Sequence, residues 1–203
     1  MRAPEAVIFD LGKVLLDFDY SIAARALASQ SGGTQRAIHT FINQSPLLFR
    51  FETGLMTKQE FYDAVRTETG FKGGLDEFAE VFGNIFRPIQ PMIELHSALQ
   101  KNGVPSYIFS NTNELAIGHI TKTYPFFNRF DGYIYSYEHG AMKPHAKLYE
   151  VVESTTKRRG DQLLYIDDRP ENIEAGAARG WQVILQETPE KTLAAVRRLG
   201  ILD

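Results

Sequence analysis

The sequence predicts an α/β fold: a Rossmann-like parallel sheet flanked by helices, with a helical cap inserted after the first strand. Three observations predict it. Short apolar runs without polar alternation, rich in β-branched or aromatic residues, read as strands buried on both faces. From Pro91 onward helical stretches separate these runs, the βαβ pattern of a doubly wound sheet. Between about Tyr20 and Arg87 the pattern is helical and contains no convincing strand.

The first strand is Val7–Phe9. Five helices follow, over Ile22–Ser29, Thr34–Asn43, Leu47–Phe51, Lys58–Thr69 and Leu75–Phe86. Thr57 with Glu60 forms a capping box at the start of the fourth. A block of helices between strands one and two is an insertion, most simply a cap over the sheet. Residues 20–87 are therefore expected to form the cap, and residues 1–19 and 88–203 the core, with hinges near Asp17–Tyr20 and Arg87–Pro91. The helix Pro91–Lys101 ends at Asn102-Gly103, where glycine suits a left-handed cap. Strands are expected at Val104–Phe109, Gly132–Tyr135, Gln162–Ile166 and Trp181–Leu185. A helix from Glu171 closes at Arg179-Gly180, and Thr188-Pro189 opens a last helix over Glu190–Leu199.

Composition narrows the function classes. At 203 residues the chain suits one sizeable domain, or a core with a smaller insert. A net charge of -3 offers no polycationic surface, so nucleic acid is not the expected partner. The absence of cysteine excludes a disulfide frame, a thiolate metal site and a cysteine nucleophile. No apolar run is long enough to span a bilayer, and no cleavable signal pattern precedes the first strand. No membrane association and cytoplasmic residence are the expectations.

In open parallel sheets ligands bind at the carboxyl ends of the strands, where strand order reverses. Strand one ends in Asp10, and strand two in Ser110-Asn111-Thr112-Asn113. The third is followed, after a loop, by Lys143-Pro144, and the fourth ends in Asp167-Asp168. Singly, each has an ordinary account as turn residue, helix cap or solvated lysine. Their joint arrival at one sheet edge does not. Two adjacent carboxylates at a buried edge raise each other's pKa unless a cation is present.

The order hhhhDxxxV, hhhSNT, KP, hhhDD resembles the four motifs of the haloacid dehalogenase-like hydrolase superfamily, over nearly the whole chain. The stretches FDLGKVLLDFDY, FETGLMTKQEFY, FSNTNEL, MKPHAKLYE and IDDRPENIEAGAARG resemble most closely its bacterial α-D-glucose-1-phosphate phosphatase branch. The resemblance implies a phosphatase acting on a small phosphorylated metabolite, with Asp10 forming an aspartyl-phosphate. It implies Mg2+ held by Asp10, the Gly12 carbonyl and Asp168, with Asp167 in or just behind the ligand set. Ser110 and the Asn111 N–H would hold a phosphoryl oxygen, Lys143 would neutralise charge and orient Asp10, and Asn172 would support the site.

Most phosphatases of the superfamily carry a second Asp two residues after the nucleophile, to protonate the leaving group. Here that position is Gly12, followed by Lys13. Two other readings stay open: a metal-independent 2-haloacid dehalogenase, and a phosphate-binding protein with little turnover. Nominal replacements for the acid are Asp17, Asp19, His39 and Glu52. The first two read as hinge or turn residues and the last two as surface groups on helices. Phe41, Phe49 and Phe51 read equally as pocket lining or as the cap's own core.

Overall fold

The structure is a computed structural model describing residues 3–43 and 45–202. Five parallel strands form the central sheet in the order β5-β4-β1-β6-β7: β1 Ala6–Phe9, β4 Ser106–Ser110, β5 Gly132–Tyr135, β6 Leu163–Asp167 and β7 Gln182–Leu185. The chain builds outward from β1 to β5, then returns to the other side of β1 for β6 and β7. Strand order thus reverses beside β1, and the carboxyl ends of β1, β4 and β6 meet there. Register fixes the meeting: Phe9 pairs with Ile108 on one side and Ile166 on the other.

Alternation along β1 serves two cores. Val7 and Phe9 pack on one face with Ile108 and Ile166 of the neighbouring strands, Met92, Leu95 and Leu99 of α6 (Gln90–Lys101) and Val196 of α11 (Pro189–Arg198). Ala6 and Ile8 pack on the other with Phe109, Tyr165 and Leu148, Tyr149 and Val152 of α9 (Ala146–Thr156). Side chains that alternate across a pleated strand must serve opposite faces, and both faces here are covered.

The five helices expected in the insert are present: α1 Tyr20–Ser29, α2 Gln35–Ile42, α3 Pro46–Glu52, α4 Lys58–Thr69 and α5 Leu75–Gly83. They enclose their own core, including Leu27, Ile42, Phe51, Phe61, Phe78 and Phe82, which reaches the main body at Leu115 of α7 (Glu114–Thr123). Thr57 and Glu60 make the capping box in both directions.

One expectation fails at the edges of this insert. Leu16–Phe18 (β2) and Phe86–Pro88 (β3) pair as an antiparallel ribbon, so Phe86 belongs to a strand and α5 ends at Gly83. This ribbon overlaps the start of both expected hinge segments. Phe86 is buried while Arg87 and Pro88 are exposed, and Pro88 stands last, where a missing N–H is tolerated. Smaller differences are end effects: β4 starts at Ser106 rather than Val104. The remaining α-helices are the short α8 (Ser136–His139) and α10 (Pro170–Ala178). Among the described residues no helix is long and apolar enough to cross a membrane.

Candidate active site

Asp10 follows β1 directly and is 7 % exposed. Its Oδ1 accepts the Leu11 N–H at 2.7 Å and lies 2.9 Å from Lys143 Nζ. No described protein group hydrogen-bonds its Oδ2. Burial holds the Asp10 carboxyl well above the usual carboxylate range, with Asp167 adding to the rise and Lys143 opposing it.

Lys143 is buried, yet remains charged. Burial alone would discharge it, but Asp10 and Asp167 together push its pKa above the ordinary lysine value. Its Nζ also donates to Phe109 O at 2.9 Å and to Asp167 Oδ2 at 2.6 Å. The Asn111 side chain clamps its backbone from both ends, accepting from Lys143 N at 2.7 Å and donating to Lys143 O at 3.2 Å.

Asp167 and Asp168 leave β6 in different directions. Asp167 is fully buried, and both its oxygens are occupied. Oδ2 accepts from Lys143 and from Tyr165 Oη, and Oδ1 from Arg169 N at 2.9 Å and Asn172 Nδ2 at 3.0 Å. Burial raises its pKa, and the charge and hydrogen bond of Lys143 with these further donors more than reverse that. Asp168 is half-buried and lines the cleft; burial and then the Asp167 charge raise its pKa.

Asp10, Asp167 and Asp168 can each present an oxygen within 4.8 Å of the others. The Gly12 carbonyl lies at the same cleft and accepts no hydrogen bond among the described residues. An all-oxygen donor set with more negative charge than one lysine can balance suits a hard divalent cation such as Mg2+. Asp10, Asp168 and the Gly12 carbonyl have acceptor capacity to spare for it, whereas Asp167 has little.

Residues 4–180 match the family described as haloacid dehalogenase-like hydrolase. This chain belongs to that family. The haloacid dehalogenase-like chain is therefore a hydrolase. It is 26 % identical over 179 residues to the sesquiterpene phosphatase astK of Aspergillus oryzae, a match covering 87 % of this chain and 86 % of that protein. Many solved structures share its fold, among them the following two. A predicted HAD-like family hydrolase from Porphyromonas gingivalis superposes with a TM-score of 0.80 at 18 % identity, over 97 % of this chain and 98 % of that one. A HAD family enzyme from Bacteroides thetaiotaomicron, in complex with magnesium and inorganic phosphate, gives 0.77 at 20 % identity, over 90 % and 93 %.

The hydrolase's cleft, about 630 Å³, is lined from the core by Asp10, Gly12, Asn111, Lys143, Asp168 and Asn172. Ser110 lies in a smaller adjoining cavity; its hydroxyl makes only a long 3.3 Å contact to Asn111 O and is free to turn toward a ligand. From the cap come Asn43, Ser45, Leu48, Phe49 and Glu52. The three phenylalanines thus divide. Phe49 is 55 % exposed at the cleft, Phe51 stacks on Phe61 inside the cap at 4.4 Å, and Phe41 lines a separate groove that borders the cleft at Ser45.

The four nominal acids also divide. Asp17 pairs with Lys13 on the surface, Asp19 caps α1, and His39 borders a separate surface depression. Glu52 does not behave as a surface group. It lines both the cleft and the adjoining cavity, and burial pushes its carboxyl up to about 8, with the Asn113 amide pulling weakly the other way. Glu52 is the last residue of α3, just before Thr53-Gly54, and nothing local in the sequence separates it from a surface glutamate.

Space above Gly12 is taken by an aromatic ring. A Cβ at position 12 would lie 2.8 Å from Phe18 Cε1. Lys13 braces that ring, its Nζ 4.7 Å from the centroid and 3.0 Å from Phe18 O.

Proposed function

We propose that this hydrolase is a magnesium-dependent phosphomonoesterase working through an aspartyl-phosphate on Asp10. One observation carries the reading: Asp10 keeps an unpaired oxygen facing the cleft while Lys143 grips the other, beside Asp168 and a free Gly12 carbonyl. A dehalogenase attacking carbon has little use for that surplus of carboxylates.

Phosphoryl transfer needs an aligned nucleophile and neutralised phosphoryl oxygens. Asp10 would attack phosphorus, dividing hydrolysis into two displacements. Lys143, held from behind by Asp167, would fix Asp10 and neutralise charge; Ser110 and the Asn111 N–H would hold a phosphoryl oxygen. Mg2+, held by Asp10, Asp168 and the Gly12 carbonyl, would neutralise charge on the transferring group when bound. Asp167 then acts through Lys143, and Asn172 through Asp167.

The partner we infer is a small, cytoplasmic phosphorylated metabolite, and a sugar phosphate such as glucose 1-phosphate is the finer reading. The cleft volume suits a small molecule. An anomeric oxygen leaves more readily than an ordinary alcohol, in keeping with a glycine at position 12. The apolar wall of Phe18, Leu48 and Phe49 favours a second reading, a sesquiterpene phosphate, after the sesquiterpene phosphatase of Aspergillus. We divide the chain into a core of residues 1–19 and 88–203 and a cap of 20–87 that closes over the substrate.

A panel of sugar, alkyl, prenyl and aryl phosphates, assayed with Mg2+ and after exhaustive EDTA treatment, tests the reading. Hydrolysis that needs Mg2+ and falls by at least about 10³-fold in Asp10→Asn is the expected outcome. Full activity after chelation, or tight phosphate binding without turnover of any ester, would overturn it.

A further inference from the structure

Phosphate monoesters with poor leaving groups need a proton delivered to the departing oxygen, and the resulting phospho-enzyme needs a base to activate water. Neither Asp10, which attacks, nor Lys143, which stays charged between two carboxylates, can serve. Position 12 has no side chain, and the Phe18 ring fills the space one would take. Asp168, also at the cleft, is assigned above to Mg2+, which leaves Glu52, brought from the cap, as the remaining carboxylic acid there.

Two contacts hold Glu52 there, and a buried amide stands beside it. Ser136 Oγ of α8 donates to the Glu52 carbonyl at 2.5 Å while accepting the Thr112 N–H at 2.9 Å, tying the end of α3 to the core. Gly54 sits in left-handed backbone, φ +74°, so close to α8 that a Cβ would lie 2.1 Å from Tyr137 O. Beside Glu52, Asn113 is buried; its Oδ1 caps α7 through the Ala116 N–H at 3.0 Å, while its Nδ2 has no close hydrogen-bond partner yet stands near enough to Glu52 to oppose the rise of its pKa. An unpaired buried amide costs stability. Here it becomes useful when Glu52 turns negative.

We propose that Glu52 is the catalytic acid that protonates the leaving oxygen and the base that then activates water, in the role that Gly12 cannot fill. This role rests on the phosphatase reading above. In the first displacement the Asp10–phosphorus bond forms and the ester P–O bond breaks, and the Glu52 proton passes to the departing oxygen. In the second, a water oxygen bonds to phosphorus, the Asp10–phosphorus bond breaks, and one water proton returns to Glu52. Water plus ester gives alcohol plus phosphate. The Asn113 amide donates to the Glu52 carboxylate between the two steps.

The starting state is correct, since burial keeps Glu52 protonated at neutral pH, up to about 8. Charged groups sharing its cleft are Asp10, Lys13, Lys143, Asp168 and Arg169; Tyr20, neutral and raised by burial, also borders it. None outweighs the desolvation of Glu52.

The test compares wild type with Glu52→Gln on substituted phenyl phosphates, from nitrophenyl to methoxyphenyl phosphate, with Mg2+ present. A nitrophenolate needs no proton to leave. The variant should therefore release it in a burst equal to the enzyme, then stall with phosphate trapped on Asp10, recoverable by acid quench. On methoxyphenyl phosphate the burst itself should slow by about 10²-fold or more. Glu52→Asp, which keeps a carboxyl, should restore part of both steps, and thermal melts check that both variants fold. Equal loss across the series without trapped phosphate, or no loss anywhere, overturns the role and leaves the phosphatase reading intact. Wild type inert on every ester overturns both.

Discussion

A side chain at position 12 would begin 2.8 Å from Phe18 Cε1, closer than carbon atoms approach without something moving. Phe18 is not free to swing away. It packs against Tyr20 and Phe86 at ring separations of 5.8 and 6.2 Å, under the Lys13 ammonium. Gly12→Asp should therefore not convert this enzyme into one with the usual second aspartate. It should cost about 1–3 kcal/mol by overpacking and lower activity. Phe18→Ala opens the space, so the double variant should be more stable than the two single effects sum to, by about 1 kcal/mol or more. Urea midpoints of the four proteins check this, and strict additivity would mean the ring does not guard the position. Legibility in the sequence follows the same local logic. Asp10, Ser110 and Asp168 could be read because each terminates an apolar run, and Lys143 because it falls in order among them. Glu52 could not, because a glutamate on a short helix has the same local pattern whether it faces solvent or a cleft. Only the fold over residues 84 positions away, where Ser136 takes hold of its carbonyl, decides which.

The five cap helices, α6, α10, α11 and the sheet strands were legible to within a few residues because their signals are local: apolar period, a capping box at Thr57, and glycine at Gly103 and Gly180 in left-handed backbone. The β2–β3 ribbon was not. Three residues, Leu-Asp-Phe, carry no recognisable period, and their partner strand lies across the whole cap. Yet this ribbon and the α3–α8 junction fix how the cap meets the core. The Lys58 N–H donates to Glu114 at 2.8 Å and Lys122 pairs with Glu80 at 2.9 Å, but these pairs are exposed and contribute little. The tighter restraint is Gly54. Gly54→Ala must place a Cβ 2.1 Å from Tyr137 O on backbone that L-residues disfavour. The junction should open rather than absorb it. Turnover is expected to fall tenfold or more, while the melting temperature drops by only a few degrees, because the cap retains its own core. A large melting loss with unchanged kcat would show instead that the junction is structural alone.

Across the whole molecule, the strand that ends in Asp10 rests on a histidine that has no polar partner. His96 on α6 is fully buried, stacks on Phe130 at 3.8 Å, and meets Phe9 edge-on at 6.3 Å. Neither ring nitrogen has a hydrogen-bond partner among the described residues. Burial, with help from the Arg129 charge and against that of Asp131, lowers its pKa from 6.5 to about 4. The folded protein thus refuses a proton that the unfolded chain accepts below about 6.5. The stability from a neutral His96 is fully present above that pH and is lost progressively as pH falls toward about 4. At about 1.4 kcal/mol per pH unit the loss reaches about 3 kcal/mol, a large share of a typical domain's stability. His96→Phe keeps the aromatic stack and has no proton to take up. Whatever it does to absolute stability, it should flatten the fall in melting temperature between pH 7 and pH 4.5 relative to wild type. The carboxylates, including Asp167, still supply their own acid sensitivity, so a residual slope is expected. Parallel slopes for the two proteins would place the acid-labile contact elsewhere and show that His96 already reaches solvent when protonated. A flattened slope would connect acid inactivation to loss of the packing beneath β1, and activity should then fall together with the melting transition.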